Sequence, residues 1–95
     1  MILEIATLNI RADGRKAFEA GFPAAAQILS SAEGYISHQL QRSVDTENRY
    51  VLLVNWRTKE NHTVGFRGSA QYEEWRKLLH HFFDLPPAVE HYELI

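Results

Sequence analysis

The chain has 95 residues, no cysteine, a formal net charge of −2, 45% hydrophobic residues and 12% aromatic residues. A chain of this length forms one domain with a modest core, and the lack of cysteine excludes disulfides, thiolate catalysis and Cys-ligated metal sites. No basic tract is present to bind nucleic acid or an anionic membrane, and no apolar run reaches the ~20 residues of a membrane span. The apolar opening MILEIATLNI has no basic segment and no cleavage site, so it predicts a first strand and a cytoplasmic protein.

The apolar pattern switches between strand-like and helix-like periodicity along the chain. The predicted elements are strands over Ile2–Ile10, Tyr35–Arg42, Tyr50–Arg57 and Ala88–Ile95, and helices over Arg15–Ser31, Lys59–Phe66 and Ser69 to about Phe83. The order is β-α-β-β-α-β, with the second helix in two pieces. This order predicts a ferredoxin-like α+β fold in a single domain over residues 1–95.

The first and third predicted strands are apolar on both faces. In a ferredoxin-like fold the helices cover only one face of the sheet. The other face therefore needs a cover, and a second copy of the chain is the economical one. The sequence predicts a homodimer that forms an α+β barrel.

Polar side chains near the predicted helix ends indicate how the helices begin. Asp13, Thr58 and Ser69 are each placed to accept hydrogen bonds from the first turn of the helix that follows. On the last helix, Glu73 and Lys77 are spaced to form an i,i+4 ion pair.

Alternation in the second predicted strand puts Ile36, His38 and Leu40 on one face and Tyr35 on the other. His38 therefore points either into the core or into a cavity. His91 on the last strand is a comparable case, and Arg67 in the break between the last two helices is expected in a surface ion pair.

Four segments of the chain carry a likeness to known proteins: ILEIATLNIRADGRKAFEA, GYISHQLQRS, YVLLVNWRTKENHTVGFRGSAQYEEWRKLL and VEHYELI. In order and spacing they resemble the antibiotic biosynthesis monooxygenase family, small dimeric α+β-barrel proteins. The resemblance implies a ligand cavity between the helices and the sheet. Members of known activity oxygenate aromatic polyketide-type phenols to quinones without metal or flavin, and others degrade heme.

The residues at the family's site positions favour one branch over the other. Thr7 stands where the heme-degrading branch has Asn, and Val64 and Glu74 stand where that branch has Trp and His, so heme cleavage is not expected. Trp56 matches the strand-end Trp of the quinone-forming branch, and Arg76 falls where a cavity Arg is expected. Leu52, however, replaces the Asn of that branch.

Oxygenation of a phenol without a cofactor requires an aromatic wall, a base with a near-neutral pKa and a cation or strong donor to hold the phenolate. His62 is the predicted base, although a helix-surface or dimer-contact histidine would give the same pattern. Arg76 is the predicted anion clamp, or else a partner of Glu73, and Tyr72 completes the catalytic set. The predicted substrate-binding residues are Trp56, His38, Phe66, Trp75 and Leu52, which are also ordinary core residues.

No cofactor and no metal are expected, since HExxH and paired HxH spacings and Gly-rich phosphate loops are absent from the sequence. Three functions stay open at this point. The chain is a cofactor-independent monooxygenase acting on a phenolic or quinol small molecule, a non-catalytic protein that binds a small hydrophobic ligand, or a barrel with an isomerase-like activity. The substitution at Leu52 favours the second function over the first.

Overall fold

The computed structural model describes all 95 residues as a four-stranded antiparallel sheet with helices packed on one face. The strands are β1 (Ile2–Asn9), β2 (Tyr35–Arg42), β3 (Arg49–Trp56) and β4 (Ala88–Glu93), and the helices are α1 (Arg15–Ser30), a π-helix (Asn61–Phe66) and α2 (Ala70–Leu79). Single 3₁₀ turns at Ala12–Gly14 and His80–Phe82 precede α1 and follow α2. No helix has the length and apolar character needed to cross a membrane.

The strands lie in the order β2-β3-β1-β4, with the first and third strands at the centre. The register places Glu4 of β1 opposite Val54 of β3 and His91 of β4, while His38 of β2 is the other partner of Val54. Residues opposite one another in an antiparallel pair point to the same face. The predicted ferredoxin-like α+β fold is confirmed.

The core lies between α1 and the central strands. Phe18, Phe22, Ala25 and Leu29 form an apolar stripe along α1 and are all buried. They meet the buried residues of β3, where the Phe18 and Tyr50 rings lie 5.0 Å apart in a tilted arrangement. The alternation of β3 explains this packing, because every second residue from Tyr50 to Trp56 faces the helices.

No element of the chain covers the opposite face of the sheet. Its centre is formed by Leu3 and Ile5 of β1 and by Val51 and Leu53 of β3, all partly exposed. Gln39 on the edge strand β2 pairs with Leu53 and is exposed. This face, called the open face below, thus has an apolar centre and a polar rim, as the two-sided pattern of the first and third strands predicts.

A bulge in β2 makes the predicted alternation of that strand wrong at its start. Tyr35 pairs with Trp56 and Ser37 with the preceding residue of β3, so Ile36 is the extra residue. Tyr35 consequently shares the helix-covered face with His38, and its hydroxyl lies 2.5 Å from His38 Nδ1. Ile36 is 48% exposed instead of facing the helices.

Two of the predicted caps are confirmed and one is wrong. Ser69 Oγ accepts from the Tyr72 N–H at 3.1 Å, and Thr58 Oγ1 accepts from the Asn61 N–H at 3.1 Å. Asp13 caps nothing because it lies inside the 3₁₀ turn over Ala12–Gly14, and α1 begins after Gly14 with no side-chain cap.

The predicted Glu73–Lys77 pair is also wrong. Lys77 pairs instead with Glu74, at an i,i+3 spacing, and its Nζ lies 3.6 Å from Glu74 Oε1. Both side chains of the observed pair are exposed, so it contributes little to stability.

Gly34 allows the start of β2 to pack closely against Asn61, the first residue of the π-helix. Its φ is +83°, and a Cβ built there would lie 2.1 Å from Cγ of Asn61. Asn61 Oδ1 in turn accepts from the backbone N–H and the hydroxyl of Thr58, at 3.1 and 2.9 Å. A larger residue at this position would displace the cap that begins the helical segment.

We expect Gly34→Ala to lower the free energy of unfolding by about 2 kcal/mol or more, through a left-handed φ and the clash with Asn61. Gly21→Ala is the matched control, because it lies within α1 and a Cβ there meets nothing within 4 Å. That control should stabilise the protein by about 0.5–1 kcal/mol. Urea unfolding followed by circular dichroism measures both, and equal stability of the two variants would contradict the close approach at Gly34.

Candidate active site

A cavity of about 240 Å³ lies between α2, the π-helix and the helix-covered face of the sheet. Its lining is mainly apolar, with two arginines, two histidines, a tyrosine and one carboxylate among the polar groups. The lining residues are Glu4, Ala6, Leu8, Leu29, Leu52, His62, Phe66, Arg67, Tyr72, Trp75, Arg76, Leu79, His80, Phe83, Pro87 and Val89. An apolar hollow with a few converging polar groups is the usual form of a small-molecule site.

Six of the eight predicted site residues line this cavity: His62, Phe66, Tyr72, Trp75, Arg76 and Leu52. Phe66 forms the aromatic corner, with its ring centroid 5.5 Å from that of Tyr72 and 6.0 Å from that of Trp75, both near perpendicular. Leu52 lies on the sheet floor with only 2% of its surface exposed. The sequence therefore identified the residues of one wall of the hollow.

Trp56 lies behind the cavity and not on its surface. The residue is completely buried at the end of β3. Its ring stacks on His62 with centroids 5.3 Å apart and an interplanar angle of 20°, and its indole N–H donates to Glu4 Oε1 at 2.9 Å. Trp56 therefore supports two cavity residues from the far side.

His38 lies outside the cavity as well. It sits on edge strand β2, where the Tyr35 hydroxyl meets its Nδ1 and the Phe22 ring packs edge-on at 6.0 Å. The core alternative for this residue is the one that the geometry supports. The separation follows from strand order, because β2 is at the opposite edge of the sheet from β4, which borders the cavity.

Glu4 is the polar residue that the sequence interpretation missed. It lies on β1, is 5% exposed and borders the cavity. Burial raises the pKa of its carboxyl, and the Trp56 hydrogen bond and the charge of Arg67 partly oppose that rise. A signal was present in the sequence, since Glu4 alternates in register with Ala6 and Leu8 and is therefore the lone carboxylate on a buried strand face.

His62 is buried on the π-helix and joins the carboxylate to a second histidine. Its Nε2 lies 3.5 Å from Glu4 Oε1, and its Nδ1 lies 2.8 Å from His91 Nε2. Burial lowers the pKa of His62 to about 3, with the positive charge of Arg67 and the neighbouring His91 acting in the same direction. His62 is therefore neutral near pH 7, and it is a much weaker base than the near-neutral pKa expected for it.

Two arginines, Arg67 and Arg76, border the cavity, and neither forms an ion pair within the chain. The surface pairing expected for Arg67, and the pairing of Arg76 with Glu73, are thus both absent. Arg67 comes directly after the π-helix. The Arg67 backbone N–H donates to the carbonyl of His62, five residues earlier, at 3.1 Å, which is the hydrogen-bond spacing of a π-helix. This wide turn, in place of the regular helix predicted over this segment, brings Arg67 to the cavity beside His62.

The chain matches a known protein family over most of its length. The family model described as antibiotic biosynthesis monooxygenase matches residues 1–78. The protein belongs to this family. The uncharacterised protein YczJ of Bacillus subtilis (strain 168) is 45% identical over 93 residues, which is 98% of each chain.

Solved structures agree with the family assignment. The crystal structure of an antibiotic biosynthesis monooxygenase family protein from Bordetella bronchiseptica superposes with a TM-score of 0.95 at 39% identity, over 99% of this chain and 96% of that one. SnoaB from Streptomyces nogalater, described as a cofactor-independent oxygenase, superposes with a TM-score of 0.83 over 99% of this chain and 92% of that one. Its identity is only 15%, so this second likeness concerns the fold alone.

The acidic and imidazole groups of this family member are arranged as a chain and not as a metal-binding set. No group of three or more His, Asp or Glu side chains has the geometry to hold a metal ion. Glu4, His62 and His91 instead follow one another in line, with atoms facing at 3.5 and 2.8 Å. Such a line of groups can orient tautomers and move protons.

Because His62 is neutral in the fold, its pKa linkage predicts a stability change with pH. Its folded pKa is depressed, so its stabilising contribution is present above the unfolded value of 6.5 and is lost as pH falls toward about 3. We expect wild type to lose roughly 1–2 kcal/mol more than His62→Asn between pH 7 and pH 5. Urea titrations of the two proteins across that range measure the difference, and parallel stability curves would contradict a buried neutral imidazole.

Proposed function

We propose that the protein is a cofactor-independent monooxygenase that converts a phenolic small molecule to a quinone in the cavity. One observation carries this proposal: an aromatic-walled hollow is bordered by two arginines, neither of which forms a salt bridge with a carboxylate. A site of that kind fits a flat, apolar substrate that becomes an anion. The family assignment and the fold shared with SnoaB support the reaction class.

The chemistry needs only the substrate and O₂. A phenol with a free para carbon loses its hydroxyl proton, and the phenolate passes one electron to O₂ to give a phenoxyl radical and superoxide. These recombine at the para carbon, and the peroxide takes up a proton to become a hydroperoxide. Loss of the carbon-bound hydrogen as a proton, with cleavage of the O–O bond, releases water and leaves the quinone, so phenol plus O₂ gives quinone plus water.

The cavity supplies the conditions for the first step, which creates the negative charge. The cations of Arg67 and Arg76 stabilise a phenolate oxygen near the cavity edge. Phe66 and Trp75 hold the ring in an apolar environment, and Tyr72 offers a hydroxyl beside them. Exclusion of water by this wall strengthens the attraction between the arginines and the anion.

A second function, binding without turnover, is favoured by one observation. The floor of the cavity is apolar at Ala6, Leu8, Leu52 and Val89. By the family resemblance, Leu52 stands where the quinone-forming branch has an Asn. A floor without a donor holds a hydrophobic ligand and adds nothing to its reactivity. The isomerase-like alternative stays a prediction.

We also propose that the protein is a homodimer joined through the open face. The support is the apolar centre at Leu3, Ile5, Val51 and Leu53, which no element of the chain covers, together with the polar rim of Gln39 and its neighbours. Interfaces with an apolar centre inside a polar rim are typical of stable association. The cavities lie on the other side of the sheet and would remain accessible in such a dimer.

We expect oxygen uptake with anthrone-type compounds or electron-rich phenols whose para carbon is free, and a fall in kcat/KM of about 10–100-fold in Arg76→Gln, because the phenolate loses one cation. Lys77→Gln is the control, since Lys77 is an exposed neighbour already paired with Glu74, and it should retain wild-type rates. An oxygen electrode measures both, before and after dialysis against EDTA. Absence of uptake with every compound, alongside ligand binding in calorimetry, would favour the non-catalytic function.

For the assembly, we expect Leu53→Glu to convert the dimer to a monomer at micromolar concentration, because it places a charge at the centre of the open face. Gln39→Glu, opposite Leu53 on the edge strand, should leave the dimer intact. Size-exclusion chromatography with light scattering distinguishes the two masses. A monomeric wild type would contradict the proposed interface.

A further inference from the structure

We propose that Glu4 is the catalytic base of the proposed reaction, and that His62 and His91 carry the abstracted proton from the cavity to solvent. This assignment rests on the proposed oxidation of a phenol. It gives a role to the one buried carboxylate of the cavity, and it replaces the expectation that His62 itself is the base.

The geometry around Glu4 leaves one oxygen for a ligand. Its two nearest polar neighbours, the Trp56 indole N–H at 2.9 Å and His62 Nε2 at 3.5 Å, both approach Oε1. Oε2 accepts no hydrogen bond from the chain. It is also not a fully buried atom, because the buried side-chain atoms that lack a hydrogen-bond partner do not include it. Because Glu4 lines the hollow, Oε2 is the oxygen that a substrate hydroxyl can approach.

The charged groups around Glu4 tune it for this role. Burial, the largest influence, raises the pKa of the Glu4 carboxyl and so makes its carboxylate a stronger base, while the Trp56 hydrogen bond and the charge of Arg67 lower that pKa. Four polar side chains surround the Glu4 carboxyl: His62 on the π-helix, Arg67 directly after it, Trp56 on β3 and His91 on β4. None of these is a second carboxylate, so no neighbour competes for the proton.

The histidine pair gives the proton a route to the surface. The substrate proton arrives on Oε2, and a turn of the carboxyl group brings it toward His62 Nε2, which lies 3.5 Å from Oε1. It passes to His62 Nε2 while the proton on His62 Nδ1 passes across 2.8 Å to His91 Nε2, so that the imidazole of His62 changes tautomer and stays neutral. His91 is partly exposed, and burial together with the charges of Lys59 and Arg67 lowers its pKa. Protonated His91 therefore releases its proton readily to water, and the carboxylate of Glu4 is restored. The proton that the peroxide later takes up follows this route in reverse, which returns His62 to its Nδ1–H tautomer.

Trp56 acts as a positioning residue in this arrangement. Its indole N–H donates to Oε1, and its ring stacks on His62, so one completely buried side chain holds both ends of the 3.5 Å step from Glu4 to His62. This explains a role for Trp56 without a place on the cavity surface.

Glu4→Gln tests the base, because it keeps the shape and an acceptor for Trp56 but cannot take a proton. With a weakly acidic phenol, we expect kcat to fall by about 100-fold or more while KM stays within about threefold. With the same phenol at a pH above its own pKa, where water supplies the phenolate, the variant should approach the wild-type rate. An equal loss at both pH values, or no loss at either, would overturn the assignment.

Two further measurements separate a base from a structural carboxylate. Glu4→Gln should have an equal or higher melting temperature near pH 7, because it removes a buried carboxyl of raised pKa, and a large drop would indicate that the loss of activity comes from misfolding. His91→Ala should lower kcat in a buffer-dependent way, with recovery on adding imidazole. Rates that do not respond to imidazole would overturn the histidine route.

An anaerobic experiment distinguishes failure of this assignment from failure of the proposed function. Infrared difference spectra on adding a phenol to His91→Ala, in which the route to solvent is interrupted, should show the C=O stretch of a protonated carboxylic acid, and the Glu4→Gln/His91→Ala double variant should lack it. Phenol binding without that band overturns the role of Glu4 alone. Absence of binding by every phenol overturns the proposed function and this assignment together.

Discussion

The hydrogen bond from the Trp56 indole to the Glu4 carboxylate connects the core of the protein to its cavity. Trp56 is the last residue of β3 and is fully buried, so its orientation is set by the packing of the sheet against the helices. Through this bond and through its stacking on His62, the rigid part of the fold fixes the groups that face a ligand. A buried carboxylate without such a donor would be far more costly to keep in an apolar site.

Glu4 also illustrates how a site can oppose stability. Its pKa is raised by burial, so the stability that it contributes is present below the unfolded value and is lost as pH rises through the folded value. His62 follows the opposite course, since its depressed pKa favours the fold at neutral pH and weakens it in acid. The two residues therefore narrow the pH range over which the fold is most stable, Glu4 from the high-pH side and His62 from the low-pH side. Groups with shifted pKa values of this kind are common in functional clusters.

The sequence was informative where periodicity decides the structure. The two-sided apolar strands and the change between strand-like and helix-like periodicity predicted the fold, and Tyr72 and Trp75 were among the predicted site residues that line the cavity. Both follow because the direction of a side chain in a regular element is set by its position. Prediction failed where the backbone departs from regularity. The bulge at Ile36 moved Tyr35 to the other face, and no residue type in that segment announces a bulge.

The charges of the site were the least predictable part. The pKa of His62 depends on burial against Trp56 and on Arg67, which are contacts between distant segments that no spacing in one segment encodes. Glu4 was visible in principle as a carboxylate in step with apolar residues, but its importance depends on what covers it. Only the packed fold shows that α2 and the π-helix leave a hollow above this residue.

The π-helix over Asn61–Phe66 has more residues per turn than an α-helix, and the extra residue sets the direction in which the next side chain points around the helix axis. Deleting one residue there would return the segment to about 3.6 residues per turn and swing the next side chain by about 100° around the axis. Arg67 would then leave the neighbourhood of His62, although every strand and both α-helices could remain in place. A single-residue change in length at this point is therefore a route by which a relative with the same architecture can acquire a differently charged pocket.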